Sequence, residues 1–255
     1  MNRCFETTVI ATVVWNLVAL GVAATVGSSN MPGFALAGAG ETAPQEGTDY
    51  PDFVVSGATK YIYLVFGGDY DSDDWADWTN DVYYLKFGYS TEADGLWLGF
   101  GVGAARDVTG DGETHQDVLI GDLHYLDIVD PDDAMGKAWL VHDVVYTTQQ
   151  PTITLSAGGG SPYCELTEIS SDQAGNWFGY SLGWAGNVNL ADEDDFVVGA
   201  CLWDDTTNSK TDAGAAYIFL GDDSMPNSLD TDDGIAFTGE NEYDHFGCAV
   251  AGTQA

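Results

Sequence analysis

The chain has very few positive charges. Its 255 residues contain 6 lysines and arginines against 41 aspartates and glutamates, which gives a formal net charge of −35 at pH 7. A field of this sign repels nucleic acids and anionic membrane surfaces, so neither is expected as a partner. The charge must be screened, either by high external salt, as around a halophile, or by bound divalent cations. We expect most carboxylates on a solvated surface and only a minority as metal ligands.

The chain also lacks two short motifs of common enzymes. There is no phosphate-binding loop and no His-Glu-Xaa-Xaa-His run. His115 lies in an acidic loop, but His124, His142 and His245 stand at no motif spacing from it, and we interpret it as a loop-surface residue. We therefore predict a binding protein that is not an enzyme.

Cysteine is scarce, and its spacing excludes the usual zinc motifs. The four cysteines are Cys4, Cys164, Cys201 and Cys248, with no Cys-Xaa-Xaa-Cys pair among them. The sequence leaves their pairing open. If an N-terminal signal is removed, one disulfide and one free thiol can be formed from the three that remain.

Charge is absent altogether from residues 7–40. Within them, Thr8–Gly27 is long and apolar and follows a start that contains Arg3. This pattern predicts a secretory signal peptide or a single membrane anchor in residues 1–30, and hence an extracellular or cell-surface protein. The alternative is a buried strand, because valine and threonine are dense here and Glu6 is unusual in the positive start of a signal.

From residue 31 onwards, short segments of the same kind recur in the same order. Each unit has a run of small residues, an acidic loop, a short apolar run with a glycine, and an aromatic and β-branched run. No segment after residue 30 has a sustained 3.6-residue period, so the pattern predicts an all-β fold. Fourth strands are predicted at VYYLKFG, TITLSA and IAFTG. The first three runs read AGAG, DFVVSGA and YIYLVF, then GVGAA, DVLIGD and AWLV, then GWAG, DFVVGA and AYIFL.

Three dipeptides mark the ends of these units. Phe178-Gly179 and Gly199-Ala200 bound the third unit, and Phe246-Gly247 opens a fourth. In this order they resemble FG-GAP repeats, which build the β-propeller of integrin α subunits. The other units depart from the pattern: Pro32-Gly33 and Leu98-Gly99 replace the first dipeptide, Gly121-Asp122 replaces Gly-Ala, and Cys201 stands where proline is usual.

The resemblance implies β-propeller blades, about three plus the start of a fourth, in a partial or open propeller. Each blade would be a four-stranded antiparallel sheet. The propeller region would cover residues 31–255, with blades at roughly 31–90, 91–160 and 161–240 and the next one starting in 241–255. Because propellers usually need 4–8 blades to close, we expect a fragment of a longer propeller, an open arc, or self-association into an oligomer.

The acidic loop of the second unit matches what Ca²⁺ needs. This ion takes 6–8 oxygen ligands, which alternate along a tight loop whose glycines permit the turns. Two extra residues before the last aspartate depart from the spacing usual in the family, and a polar hairpin turn is the alternative. The predicted ligands are Asp107, Thr109, Asp111, the Glu113 carbonyl and Asp117.

The other two acidic loops fit Ca²⁺ less well. In the third unit Ala191 stands where the central carboxylate belongs, with Asp192 as the nearest substitute. The first unit has a longer loop that keeps Glu41, Asp49 and Asp52, and we interpret the acidic insert at 69–81 as a solvated loop. The ligands predicted in the third unit are Asn187, Asn189, the Glu193 carbonyl and Asp195.

The function implied by the resemblance is extracellular. It is a calcium-binding module that recognises a protein or glycan in cell adhesion, with a membrane contact only through an N-terminal anchor. Two alternatives remain, because a fold does not determine a function. One is an accessory propeller of a secreted carbohydrate-active or phospholipase-type enzyme, and the other is a structural component of a surface layer or filament.

Overall fold

A computed structural model of the chain describes residues 36–40, 52–56, 61–67, 82–90, 98–110, 116–123, 135–156, 159 and 161–252. These residues form β-strands and turns and no helix, which confirms the predicted all-β fold. The strands are β1 (Leu36–Gly40), β2 (Asp52–Ser56), β3 (Ile62–Val65), β4 (Tyr84–Gly88), β5 (Leu98–Arg106), β6 (Asp117–Asp122), β7 (Lys137–His142), β8 (Thr152–Thr154), β9 (Glu165–Ser170), β10 (Phe178–Gly186), β11 (Asp195–Ala200), β12 (Ala215–Phe219), β13 (Ser228–Asp230) and β14 (Ile235–Thr238).

The strands form three sheets with the same arrangement. The first sheet has the order β1-β2-β3-β4-β8, the second β5-β6-β7-β9-β13 and the third β10-β11-β12-β14. In each sheet the first four strands pair antiparallel. In the first two sheets a fifth strand of three residues is added in parallel, β8 beside β4 and β13 beside β9.

The fifth strands correct one part of the sequence prediction. The run TITLSA, predicted as the fourth strand of the second unit, contains β8 and belongs to the first sheet. The fourth strand of the second sheet is β9, in a stretch that the sequence assigned to the third unit. The reason is that an exposed sheet edge favours coverage, and the chain between β7 and β9 leaves its own sheet to cover the neighbouring one. Two of the three sheets therefore have five strands instead of four.

The cores lie between neighbouring sheets. Because successive side chains of a strand point to opposite faces, the second sheet contributes to both cores, which explains why DVLIG and AWLV are unbroken apolar runs. Between the first and second sheets, Val54, Ile62, Leu64, Leu85 and Phe87 pack in one cluster with Val118, Ile120, Trp139, Val141 and Leu166. Between the second and third, Leu119, Ala138, Leu140 and Ile169 pack with Phe196, Val198, Tyr217 and Phe219.

Glycines let the backbones of neighbouring sheets approach each other. Gly179 has a φ of +86°, and a methyl group on it would lie 2.3 Å from the carbonyl oxygen of Lys137 in the second sheet. Gly247 has a φ of +81° and would bring a methyl group within 1.9 Å of the Ala215 carbonyl oxygen. Only glycine fits such a conformation and such a contact. Phe178, the residue before Gly179, is fully buried in the core between the second and third sheets.

The structure gives the cysteine pairing that the sequence left open. Cys201 and Cys248 form a disulfide that links the end of β11 to the residue after Gly247. Cys164 is free and buried. Among the residues described, none forms a helix long and apolar enough to cross a membrane. The predicted signal or anchor in residues 1–30 lies outside that part of the chain.

Candidate metal-binding sites

Each sheet has a buried aspartate at the first residue of its second strand. Asp52, Asp117 and Asp195 begin β2, β6 and β11 and are 1%, 3% and 0% exposed. Each pairs with the last residue of the preceding strand just after a shift in register, so the three occupy equivalent places. A buried carboxylate is costly unless hydrogen bonds or a cation satisfy it, and its partners therefore reveal its role.

The Asp195 carboxylate accepts hydrogen bonds from two backbone N–H groups. Its Oδ2 accepts a hydrogen bond of 2.6 Å from the backbone N–H of Val188, in the loop that precedes β11. Its Oδ1 accepts one of 3.0 Å from the backbone N–H of Gly221, two residues beyond β12. The carboxylate thereby joins the loop, the second strand and the end of the third strand.

The other two aspartates each repeat one of these contacts. The Oδ1 of Asp52 accepts a hydrogen bond of 2.6 Å from the N–H of Gly67, which also stands two residues beyond the third strand of its sheet. The Oδ2 of Asp117 accepts one of 2.9 Å from the N–H of Val108 in its own loop. Each carboxylate oxygen has two lone pairs and can also bind a cation. Asp117 and Asp195, predicted as ligands, are thus also backbone clamps.

The second loop brings three of its predicted ligands to one turn. Asp107 follows directly on the residue that pairs with Asp117, so the two aspartates flank the same end of the β5–β6 hairpin. The Oδ1 of Asp107 accepts a hydrogen bond of 2.8 Å from the N–H of Gly110, whose φ is +61°. Thr109 between them is 6% exposed. Asp111 and Glu113, the remaining predicted ligands, lie outside the described residues.

The third loop touches the second one. The N–H of Asp194 donates a hydrogen bond of 2.9 Å to the carbonyl oxygen of Asp107. The Glu193 side chain lies so close to Gly110 that a methyl group there would be 2.9 Å from its Oε1. Glu193 was predicted to offer its carbonyl to an ion in the third loop. That role of the carbonyl stays a prediction, and the Glu193 carboxylate reaches the second loop, which adds an oxygen donor beside Asp107 and Gly110.

The third loop is largely held by its own amides. The Nδ2 of Asn187 donates to the carbonyl oxygen of Ala191. The N–H of Ala191 in turn donates to the Oδ1 of Asn189 at 2.9 Å. The Oδ1 of Asn187 is buried and has no hydrogen-bond partner among the described residues. A buried oxygen in this condition fits a cation, while Ala191 adds no side-chain ligand where the sequence pattern calls for one.

The acidic positions of the first unit can be followed only at Asp52. Glu41, Asp49 and the insert at 69–81 lie outside the described residues. Their predicted roles, a weak calcium loop and a solvated insert, stay predictions.

A further cluster, which was not predicted from the sequence, lies at the end of the second sheet where Asp117 begins β6. His142 is the last residue of β7 and pairs directly with Glu165, the first residue of β9. One ring nitrogen of His142 and one carboxylate oxygen each from Asp143 and Glu165 lie within 4.8 Å of one another. Glu165 is distant in sequence from His142 and Asp143, and the three residues share no motif. A correct assignment of β9 to the second sheet would have placed the histidine opposite a carboxylate.

The comparisons with known proteins add no family to this geometry. No protein-family model matches the chain, and no curated protein is significantly similar to it.

Proposed function

We propose that the chain is an extracellular, calcium-binding module of the FG-GAP, integrin-α-like β-propeller type, which recognises a protein or glycan in cell adhesion and is not an enzyme. The observation that carries this proposal is the common construction of the three sheets. Each has a register shift before its second strand and a buried aspartate that begins this strand. The sheets also pack face to face, as successive blades of a propeller would.

Calcium would stabilise the second loop most. Asp107 and Asp117 flank one turn, and the Glu193 carboxylate approaches it from the neighbouring loop. In a protein with a net charge of −35, carboxylates held this close repel one another, and this repulsion opposes folding. A bound Ca²⁺ would neutralise it and tie the two loops together. The third loop offers the Asn187 oxygen but holds itself with amide hydrogen bonds, so its gain would be smaller.

The disulfide supports an extracellular location. Structural disulfides form and persist in oxidising compartments and are rare in the cytosol. The bond between Cys201 and Cys248 therefore favours export, as does a calcium loop, which suits high external calcium. The acidic loops lie at one end of the sheets, between the first and second strands, and we propose this end as the surface for ligand recognition.

Thermal melts with and without a chelator test the calcium site. With free Ca²⁺ a hundredfold above its dissociation constant, the ion should stabilise the fold by about 2.7 kcal/mol. Asp111→Ala removes the central predicted ligand and should lose most of this gain. Asp192→Ala in the third loop is the matched comparison and should lose less of it. Equal melting temperatures in Ca²⁺ and in chelator, or an Asp111→Ala protein that responds like the parent, would leave the loop as a polar turn.

A binding survey tests recognition separately. The purified chain would be offered glycan arrays and immobilised extracellular-matrix proteins, in Ca²⁺ and again in chelator. We expect saturable binding to one class, lost in chelator and weakened by Asp111→Ala. A protein that is stabilised by Ca²⁺ but binds neither class would contradict the recognition role and keep the calcium site.

A further inference from the structure

The His142, Asp143 and Glu165 cluster has the form of a metal site that is separate from the acidic loops. The His142 side chain is buried, with the residue 4% exposed, whereas Asp143 and Glu165 are exposed. Their ligand atoms lie within 4.8 Å of one another, with 2.8 Å between Nδ1 of His142 and Oδ2 of Asp143. An ion could therefore enter from solvent past the carboxylates and reach a histidine held firmly in the sheet.

The hydrogen bonds behind His142 determine which of its nitrogens carries hydrogen. The hydroxyl of Thr167 has a single hydrogen, which it donates to the carbonyl oxygen of Pro226 at 2.7 Å. The Nε2 of His142 lies 3.3 Å from the same hydroxyl oxygen. A hydroxyl whose hydrogen is already used can only accept, so Nε2 must be the donor. In the neutral ring, Nδ1 then has a free lone pair.

This lone pair points at a carboxylate. Nδ1 and Oδ2 of Asp143 are both acceptors, and at 2.8 Å they repel each other unless a cation lies between them. A proton on Nδ1 is one such cation, and a metal ion is the other. The nearby Glu165 carboxylate would attract either cation, but it also supplies a third donor atom, which a metal ion can bind and a single proton does not need. A histidine that donates its other N–H to a fixed acceptor is also typical of metal ligands.

We propose that His142, Asp143 and Glu165 bind a divalent transition-metal ion, with Zn²⁺ as the best match. An imidazole nitrogen suits Zn²⁺, Cu²⁺ or Ni²⁺, whereas Ca²⁺ prefers oxygen donors alone. Three protein ligands leave a coordination position open to solvent on the exposed side. Thr167 is a positioning residue, since it holds the imidazole in the tautomer that presents Nδ1. The site does not depend on calcium in the loops.

Zn²⁺ titration by calorimetry into the whole chain tests the site. Saturating Ca²⁺ is kept present, so that the acidic loops and the general negative charge cannot account for the signal. We expect one equivalent of Zn²⁺ to bind, and Co²⁺ in its place to give visible absorption bands that Zn²⁺ abolishes. Loss of the imidazole in His142→Ala should weaken binding at least tenfold, whereas His245→Ala, at an exposed histidine, should leave it unchanged.

Two exposed positions keep the test valid if His142→Ala does not fold. Glu165→Gln removes one ligand at the surface, and Asp143→Asn removes another while tolerating the φ of +50° at this position. Both should weaken Zn²⁺ binding. Thr167→Val should weaken it about 10–100-fold with every ligand still present, and Thr167→Ser should restore it. Absence of saturable Zn²⁺ binding, or binding that is unchanged in Glu165→Gln and Asp143→Asn, would overturn the proposal and leave a protonated His142–Asp143 pair.

Discussion

The second and third sheets share a backbone plan and differ in the chemistry attached to it. Both have four antiparallel strands, a buried aspartate that begins the second strand and a glycine with positive φ near the start of the first. The second sheet adds an acidic loop with glycines and a histidine with two carboxylates. The third has an amide-held loop and a disulfide. The common plan serves stability, and the loops vary without disturbing it.

The two sheets also differ in whether another strand covers their fourth strand. In the second sheet, β9 is covered by β13. In the third, all four residues of β14 are exposed, Ile235 and Phe237 each at 48%, and no strand lies on its far side among the described residues. An uncovered edge is more easily opened. We infer that the second sheet is held by packing on both faces and that the third depends more on its disulfide.

Removal of the disulfide should therefore give the largest decrease in the free energy of unfolding, and it should destabilise mainly the third sheet. Cys201 and Cys248 are 47 residues apart, and loop closure over that length corresponds to about 4 kcal/mol. We expect the Cys201→Ser, Cys248→Ser protein to lose about this much in urea unfolding. Hydrogen exchange followed by mass spectrometry should show loss of protection in β12 and β14 before β6 and β7. Equal loss in both sheets would break the distinction between them.

The aspartate clamps should come next, and here the two sheets should behave alike. Asp195→Ala leaves two N–H groups without an acceptor, and a loss of about 3 kcal/mol is expected. Asp117→Ala should cost a comparable amount, also in chelator, because the bonded partner is the protein's own backbone. Only Asp117→Ala should in addition remove most of the response to Ca²⁺. Exposed Asp192→Ala is the control, with a change within about 0.5 kcal/mol.

Chemical denaturation in Ca²⁺ and in chelator measures both effects for each variant. If Asp195→Ala were as stable as the parent, its two hydrogen bonds would be incidental. If Asp117→Ala still responded fully to Ca²⁺, this aspartate would be a clamp and not a ligand.

The parts of this plan that depend on neighbouring residues could be predicted from the sequence. The apolar runs DVLIG and DFVVGA became β6 and β11, and the aromatic runs became β7 and β12, because strand formation follows local pattern. Contacts between units could not be predicted in this way. The placement of β8 beside β4 depends on an edge more than sixty residues earlier in the chain, roughly the length of a blade.

The same limit applies to the sites. The sequence pointed to the aspartates as ligands, but it did not reveal that Asp117 and Asp195 also hold the backbone, because a carboxylate in an acidic loop can serve either role. One partner of Asp195, Gly221, lies beyond the following strand β12. The pairing of His142 with Glu165 follows from the register of β7 with β9, which is not a local property. The Glu193 contact with Gly110 requires two sheets to be in place.

The smallest expected effect concerns the free thiol of the second sheet. Burial, and secondarily the charge of Glu165, raises the pKa of Cys164 from its ordinary value of 9.0 to about 12. Below pH 9 the thiol is protonated in both the folded and the unfolded state and has no influence on the pH dependence of stability. Between pH 9 and 12 the unfolded state loses this proton first, so the free energy of unfolding decreases as pH rises. At neutral pH the thiol affects reactivity alone.

Iodoacetamide labelling measures that reactivity, since only the thiolate is a good nucleophile. In the folded protein, Cys164 should be modified slowly at every pH from 7 to about 10, because the buried thiol keeps its proton and reacts only when the sheet opens. In urea, the rate should rise with pH as for an ordinary cysteine. The disulfide of the third sheet needs no blocking step, because it does not react with iodoacetamide. A folded-state rate close to the unfolded rate at the same pH would mean that the β9 end of the second sheet opens readily. Packing on both faces would then give the second sheet no advantage over the third.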